Sequence, residues 1–196
     1  MRIILVHGFN ASPEMNFHPW LAAQLRAEGF EVVTPTLPFS TGAELNLPEI
    51  IEAMREQVGI IKSDDILLGH SLGAFIILQY LEAVEMAETP RAVIMVAAPW
   101  KVSRPELRQL FIVDLDADVL MWKAREFVVI HSADDKLVPI SHGRTLAEAF
   151  KARFIETAND DHFMGEKYPI LLETVLSIIK TPFDYAPGRD LPNAFE

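Results

Sequence analysis

The 196 residues contain no cysteine. That excludes a disulfide framework, a thiolate zinc site and a cysteine nucleophile together. Positive charge is also scarce: 17 Lys and Arg stand against 28 Asp and Glu, a formal net charge of -11. Such a balance repels phosphate backbones and anionic membrane surfaces, so neither nucleic acid nor a membrane is expected as a partner. Long apolar runs are missing as well. The opening "MRIILVHGF" turns polar after a few residues and lacks the length and cleavage region of a signal peptide. The run "AVIMVAAPW" is closed by proline and lysine, well short of the ~18 apolar residues of a membrane helix. A soluble, cytoplasmic protein is the expectation. No G-x-G-x-x-G or G-x-x-x-x-G-K-[ST] loop occurs, which argues against a dinucleotide or phosphate cradle. There is no internal repeat and no low-complexity tract.

What is present is apolar and regularly segmented. Half of the residues are hydrophobic, enough for one sizeable core in a chain of this length, so a single domain over 1–196 is expected. Six short Val/Ile-rich runs are read as strands: "IILVH" from Ile3, "VVTPTL" from Val32, "ILLGH" from Ile66, "AVIMVAA" from Ala92, "FVVIHSA" from Phe127 and "FIETA" from Phe154. They hardly alternate with polar residues, as strands do when helices cover both faces of a parallel sheet. Helix-period segments lie between them, at Phe17 to Glu28, Pro48 to Ile60, Leu72 to Val84, His142 to Phe150 and Tyr168 to Ile179. This alternation predicts a three-layer αβα sandwich: a doubly wound, mainly parallel six-stranded sheet with right-handed crossovers. Residues 101–125 form a longer, mostly helical connection that could serve as a small lid. Residues 181–196 carry three prolines and are expected to form an extended tail.

The stretch "LLGHSLGAF" puts Ser71 between Gly69 and Gly73 where the third strand gives way to a helix. It fits G-x-S-x-G, in which the serine occupies a strained turn and the glycines allow strand and helix to pass closely. The positive end of the following helix points at the serine and favours negative charge there. A serine hydroxyl is a weak nucleophile at neutral pH and needs a base, and in this arrangement an acid and then a histidine should follow in the chain. "HSADDKLVP" offers Asp134 and Asp135 past the fifth strand, and "NDDHF" offers His162 past the sixth. Asp135 is preferred over Asp134 because it precedes Pro139 in a D-x-x-V-P turn. Among the remaining histidines, His7 and His131 lie in or at the ends of strands, His70 is inside the elbow, and His18 and His142 start helices, where packing or capping accounts for them. Asp160 and Asp161 read as turn residues beside His162. A divalent ion held by the four aspartates and His162 is the less favoured alternative, and no metal is assigned.

The turn "VHGFN" after the first strand supplies a second feature. The backbone N–H groups of Phe9 and Leu72 are the expected oxyanion donors. Trp100, Leu137 and Phe163, with Phe9, Phe39 and Trp122, are candidates to line an apolar acyl pocket.

The motifs "HGFNASPEMNFHPWL", "GHSLGA", "DDKLVP" and "DHF" together resemble the α/β-hydrolase superfamily, and within it the small serine hydrolases grouped with the retinoblastoma-binding-protein-9 and YdeN-like proteins. The resemblance spans nearly the whole chain. It implies an α/β-hydrolase sheet beginning at the third strand of the larger fold, little or no lid, a Ser71, Asp135, His162 triad and no cofactor. The expected function is hydrolysis of carboxylic esters with short acyl chains on a small-molecule acyl substrate. Amide or peptide bonds, thioesters, or a protein-binding role on a hydrolase scaffold remain as alternatives, and self-association stays open.

Overall fold

The computed structural model describes residues 1–38, 45–102, 105–111 and 115–181. Phe39 and nearly all of the expected C-terminal tail lie outside the described residues. The order of elements is β1 (Arg2–Val6), α1 (His18–Ala27), β2 (Glu31–Val33), α2 (Leu47–Val58), β3 (Ile66–His70), α3 (Leu72–Ala83), β4 (Ala92–Val96), a 3-10 helix (Pro105–Phe111), α4 (Ala117–Leu120), β5 (Glu126–Ser132), α5 (Ile140–Ala149), β6 (Arg153–Thr157) and α6 (Pro169–Lys180).

The six strands join one sheet in the order β2-β1-β3-β4-β5-β6, and every pairing is parallel. Successive residues explain the missing polar alternation. Ile3 and Leu5 of β1 face a core built with Leu21 and Leu25 of α1 and Leu171 and Val175 of α6. Ile4 and Val6 face the opposite core, shared with Ile50 and Met54 of α2 and most of α3. Both sides of each central strand are therefore dry, which requires apolar residues at every position. Each fully buried Leu or Ile contributes about 1.5–3 kcal/mol, so this double coverage is the main source of stability. Helix α3 is buried at every residue from Leu72 to Leu81, because it crosses the middle of the sheet. Prolines open α1, α2 and α6 in the first turn, where the missing N–H costs nothing.

Two differences from the sequence reading have simple causes. Strand β2 ends at Val33 instead of running through "VVTPTL". Pro35 has no N–H for a ladder, and the Leu37 amide donates to Nε2 of His7 instead, at 3.0 Å. Helix α5 starts at Ile140, directly after Pro139, so His142 sits within its first turn. In the 101–125 stretch, Leu107, Leu110, Leu120 and Ala124 are anchored in the core beside α3. Among the described residues no helix is long and apolar enough to cross a membrane.

The strand order reverses direction between β1 and β3: the chain moves to one edge through β2 and to the other through β4, β5 and β6. At such a reversal the loops after adjacent strands diverge and leave a crevice at the strand carboxyl ends. Gly8 and Phe9 after β1 and Ser71 after β3 flank it.

Candidate active site

Ser71 bridges the last residue of β3 and the first of α3 with φ 51° and ψ -121°. A non-glycine residue in that region stores roughly 1–3 kcal/mol of strain, which the surrounding packing must hold in place. Its amide donates to the Val96 carbonyl at 2.8 Å, tying the turn to β4. The flanking glycines are required by close approach. A Cβ on Gly69 would collide with the Ala74 backbone, and one on Gly73 with the carbonyls of His7 and Val6. The first turn of α3 is thus pressed against the end of β1, and this geometry lifts the serine hydroxyl into the crevice.

Three loops then meet over the sheet edge. Nε2 of His162 lies 2.9 Å from Ser71 Oγ, and its Nδ1 lies 2.8 Å from Oδ2 of Asp135. A carboxylate can only accept, so the network assigns hydrogen to Nδ1, and Nε2 receives the serine O–H. The other Asp135 oxygen accepts the amides of Leu137 and Val138 at 2.9 and 2.8 Å. Burial pushes the Asp135 carboxyl up, but hydrogen bonds from His131, His162 and the Val138 amide outweigh it and hold the group well below the usual carboxylate range. Asp135 and His162 are buried, at 8% and 5% exposure, while Ser71 is open to the crevice.

The neighbouring aspartates act elsewhere. Asp134 accepts from the Ser132 hydroxyl and from the Asp161 amide, and Asp161 accepts from the Lys136 amide at 3.0 Å. They staple the loop after β5 to the loop after β6. The staple holds His162 over Ser71, with Asp161 and Phe163 in left-handed conformations on either side of it. Among the described residues, no three acidic or imidazole side chains converge to hold a metal ion.

Sequence reasoning missed the other histidines. All six of the chain cluster at this end of the sheet. His70 donates from Nε2 to the carbonyl of His162 at 2.8 Å and so clamps that loop from below. Burial, followed by the proximity of His162 and His18, pushes the His70 imidazole down to about 3. Burial likewise pushes His18 down to about 4 and lowers His7 and His142. His142 accepts the Trp100 amide on Nδ1 at 3.0 Å and joins the crevice wall. His131 bonds both to the Val138 carbonyl, at 2.8 Å, and to Asp135. Their positions at strand ends and helix starts were legible, but their shared neighbourhood was not.

The crevice has a volume of about 620 Å³ and is lined on its apolar side by Phe9, Leu72, Val102, Leu107, Leu137 and Met164. Met15, Leu137 and Met164, all at its rim, are exposed at 46%, 62% and 57% and make the mouth apolar. Phe9 and Leu72 flank Ser71 as the sequence suggests, and Leu72 opens α3, where a helix leaves its first N–H groups unused. Three expected lining residues do not reach the crevice. Phe163 is fully buried with its ring against Tyr168, 4.8 Å between centroids, because its positive φ turns it under the loop. Trp100 packs against the core around α3. Trp122 is also away from the crevice, and half exposed.

Comparison with known proteins identifies the family and the fold. The family model described as serine hydrolase matches residues 3–168. YdeN of Bacillus subtilis (strain 168) is 25% identical over 185 residues, covering 93% of this chain and 96% of that protein. Its crystal structure superposes with a TM-score of 0.82, over 91% of this chain and 98% of that one. The esterase RhEst1 from a Rhodococcus species shares the fold at 18% identity, with a TM-score of 0.69 over 92% and 90% of the two chains. Est1E from Butyrivibrio proteoclasticus, solved with ferulic acid bound, does so at 13% identity, with a TM-score of 0.69 over 91% and 87%. With the family match extending from β1 almost to α6, the chain belongs to the serine hydrolase family and is a YdeN-like member of the α/β-hydrolase superfamily.

Proposed function

We propose that the chain cleaves carboxylic esters through an acyl-enzyme, with Ser71 as nucleophile, His162 as general base and then general acid, and Asp135 as the group that orients the imidazole. The observation carrying this reading is the unbroken line from Ser71 Oγ through His162 to Asp135, with both links under 3 Å. As Oγ attacks the ester carbonyl, its proton passes to Nε2. The C–O bond then breaks, and that proton leaves with the alcohol. Water, deprotonated by the same nitrogen, attacks the acyl carbon and returns Oγ as hydroxyl, releasing the acid. Negative charge on the carbonyl oxygen in both halves is met by the amides of Phe9 and Leu72.

The crevice size suits a small-molecule acyl substrate, and its apolar wall supports esters of short acyl chains as first candidates. The esterase RhEst1 and the ferulic acid held by Est1E support ester chemistry on this scaffold. Amide and thioester substrates use the same steps and differ only in the leaving group. The test combines labelling by a fluorophosphonate probe with a panel of p-nitrophenyl esters, aminoacyl amides and thioesters. Wild type should react covalently at Ser71 and turn over esters fastest, and Ser71→Ala should do neither. Ester turnover at wild-type rate by Ser71→Ala would overturn the assignment, and an unreactive wild type would favour a binding role.

A further inference from the structure

We propose that His131 is a positioning residue that holds the Asp135–His162 pair in register. The proposal rests on the reading of Ser71, His162 and Asp135 as a catalytic unit and adds a residue that the G-x-S-x-G, acid and histidine pattern does not contain.

His131 lies near the end of β5 and is fully buried. Its Nε2 is 2.8 Å from the Val138 carbonyl and 3.3 Å from Oδ2 of Asp135. Both neighbours are acceptors, so Nε2 carries hydrogen and is shared between them. The carboxylate oxygen it reaches is the same one that accepts Nδ1–H of His162 at 2.8 Å. The second carboxylate oxygen is occupied by the Leu137 and Val138 amides. Asp135 is therefore gripped on both oxygens, and its position relative to β5 is set by a rigid ring.

The ring itself has one place to sit. Its Nδ1 is buried with no hydrogen-bond partner among the described residues. Helix α5 crosses directly over it at Gly143, where an added Cβ would fall 2.6 Å from Nδ1. A glycine in the middle of a helix costs about 1 kcal/mol relative to alanine, and here the close passage of the imidazole accounts for it. The two devices work together: Gly143 admits the ring, and the ring ties the Val138 carbonyl and the Asp135 carboxylate to the strand.

The chemical consequence concerns where the proton stays. While Ser71 reacts, His162 carries protons on both nitrogens and leans on Asp135. A second donor on Oδ2 spreads the carboxylate's negative charge and makes it a poorer base, so the Nδ1 proton remains on the imidazole. Burial raises the Asp135 carboxyl, and the hydrogen bond from His131 is the leading influence that lowers it again. The charged and titratable groups facing these rings are Asp135 and His142 around His131, and Ser71, Asp135 and His70 around His162.

The test compares His131→Leu, which removes the donor, with His131→Gln, which keeps an amide donor at similar reach. For a p-nitrophenyl ester, His131→Leu should lower kcat on the order of 10- to 100-fold, the span of a hydrogen bond to a charged group, with KM within about twofold. His131→Gln should recover most of that loss. A readout without turnover comes from proton NMR of protein with labelled histidines in the Ser71→Ala background. The downfield Nδ1–H resonance of His162 should be present when His131 is retained and in His131→Gln, and broadened by exchange in His131→Leu. Should His131→Leu not fold, Gly143→Ala displaces the same ring from the other side and should give the same loss of kcat and of the resonance. Wild-type kcat and an intact resonance in His131→Leu, or in Gly143→Ala if it alone folds, would overturn the proposal while leaving the Ser71 assignment untouched. Absence of labelling and turnover in wild type would instead remove the catalytic reading.

Discussion

Acid should destabilise this protein well above the pH range of its carboxylates, and His18 allows the effect to be isolated. The ring is buried and stacked on Phe17, 4.5 Å between centroids with planes 13° apart, and lies 6.1 Å from the ring of His70. Burial pushes its imidazole down to about 4, against about 6.5 in an unfolded chain. Between those values the unfolded state binds a proton that the native state refuses, so stability is complete above the unfolded value and is lost as pH falls towards the folded one. From pH 7 to pH 5.5, one such site withdraws about 1.2 kcal/mol. His70, held down to about 3, adds a similar amount, for a total of roughly 2.5 kcal/mol from the two rings. The measurement is urea unfolding followed by tryptophan fluorescence at both pH values, in wild type and in His18→Phe, which keeps an aromatic ring on Phe17. The carboxylates are common to both proteins and cancel in the difference. His18→Phe should lose about 1.2 kcal/mol less than wild type over the interval. Equal losses would show that His18 can be protonated within the native state, contrary to a dry, neutral imidazole beneath the site.

Other perturbations separate the site from the scaffold. Asp135→Asn should lower kcat on the order of 10⁴-fold by stabilising the wrong tautomer of His162. Asp134→Asn should cost far less, because Asp134 only joins loops, and the reverse ranking in ester kinetics would exchange their roles. Gly73→Ala should lower stability by about 1–3 kcal/mol or more, since its Cβ has no room against the carbonyls of β1; an unchanged melting temperature would contradict the close passage of α3. Asp65→Ala removes the buried partner of Arg2, whose Nη2 lies 2.6 Å away. It should cost about 3–5 kcal/mol in denaturant unfolding while leaving kcat unchanged, because the pair lies at the strand ends opposite the crevice. A matching fall in kcat would show that the two ends of the sheet are coupled.

Local chemistry in the chain determined a large part of this molecule. Runs such as "ILLGH" and "AVIMV" carry no polar alternation, and only strands covered on both sides need that, so a parallel sheet between two helical layers follows from composition alone. Gly69 and Gly73 on either side of Ser71 announce a strained strand-to-helix turn, since a Cβ at either glycine has no room in so tight a passage. The order of Ser71, Asp135 and His162, each past a strand, makes them able to meet, because parallel strands put all their carboxyl ends on one edge.

Tertiary structure decided what depends on distance across that edge. Strand order put β1 beside β3 and opened the crevice there, a result that no single strand encodes. Phe163 looked like a pocket residue by its place next to His162, yet the left-handed backbone of its loop turned the ring inward. Asp134 and Asp135 are adjacent and chemically identical in the chain; they diverge because one points to the β6 loop and the other lies between two imidazoles. His131, His70 and His142 read as ordinary strand-end and helix-start residues. Their partners lie on other loops, and a hydrogen bond requires a separation near 3 Å that only the packed sheet and helices impose.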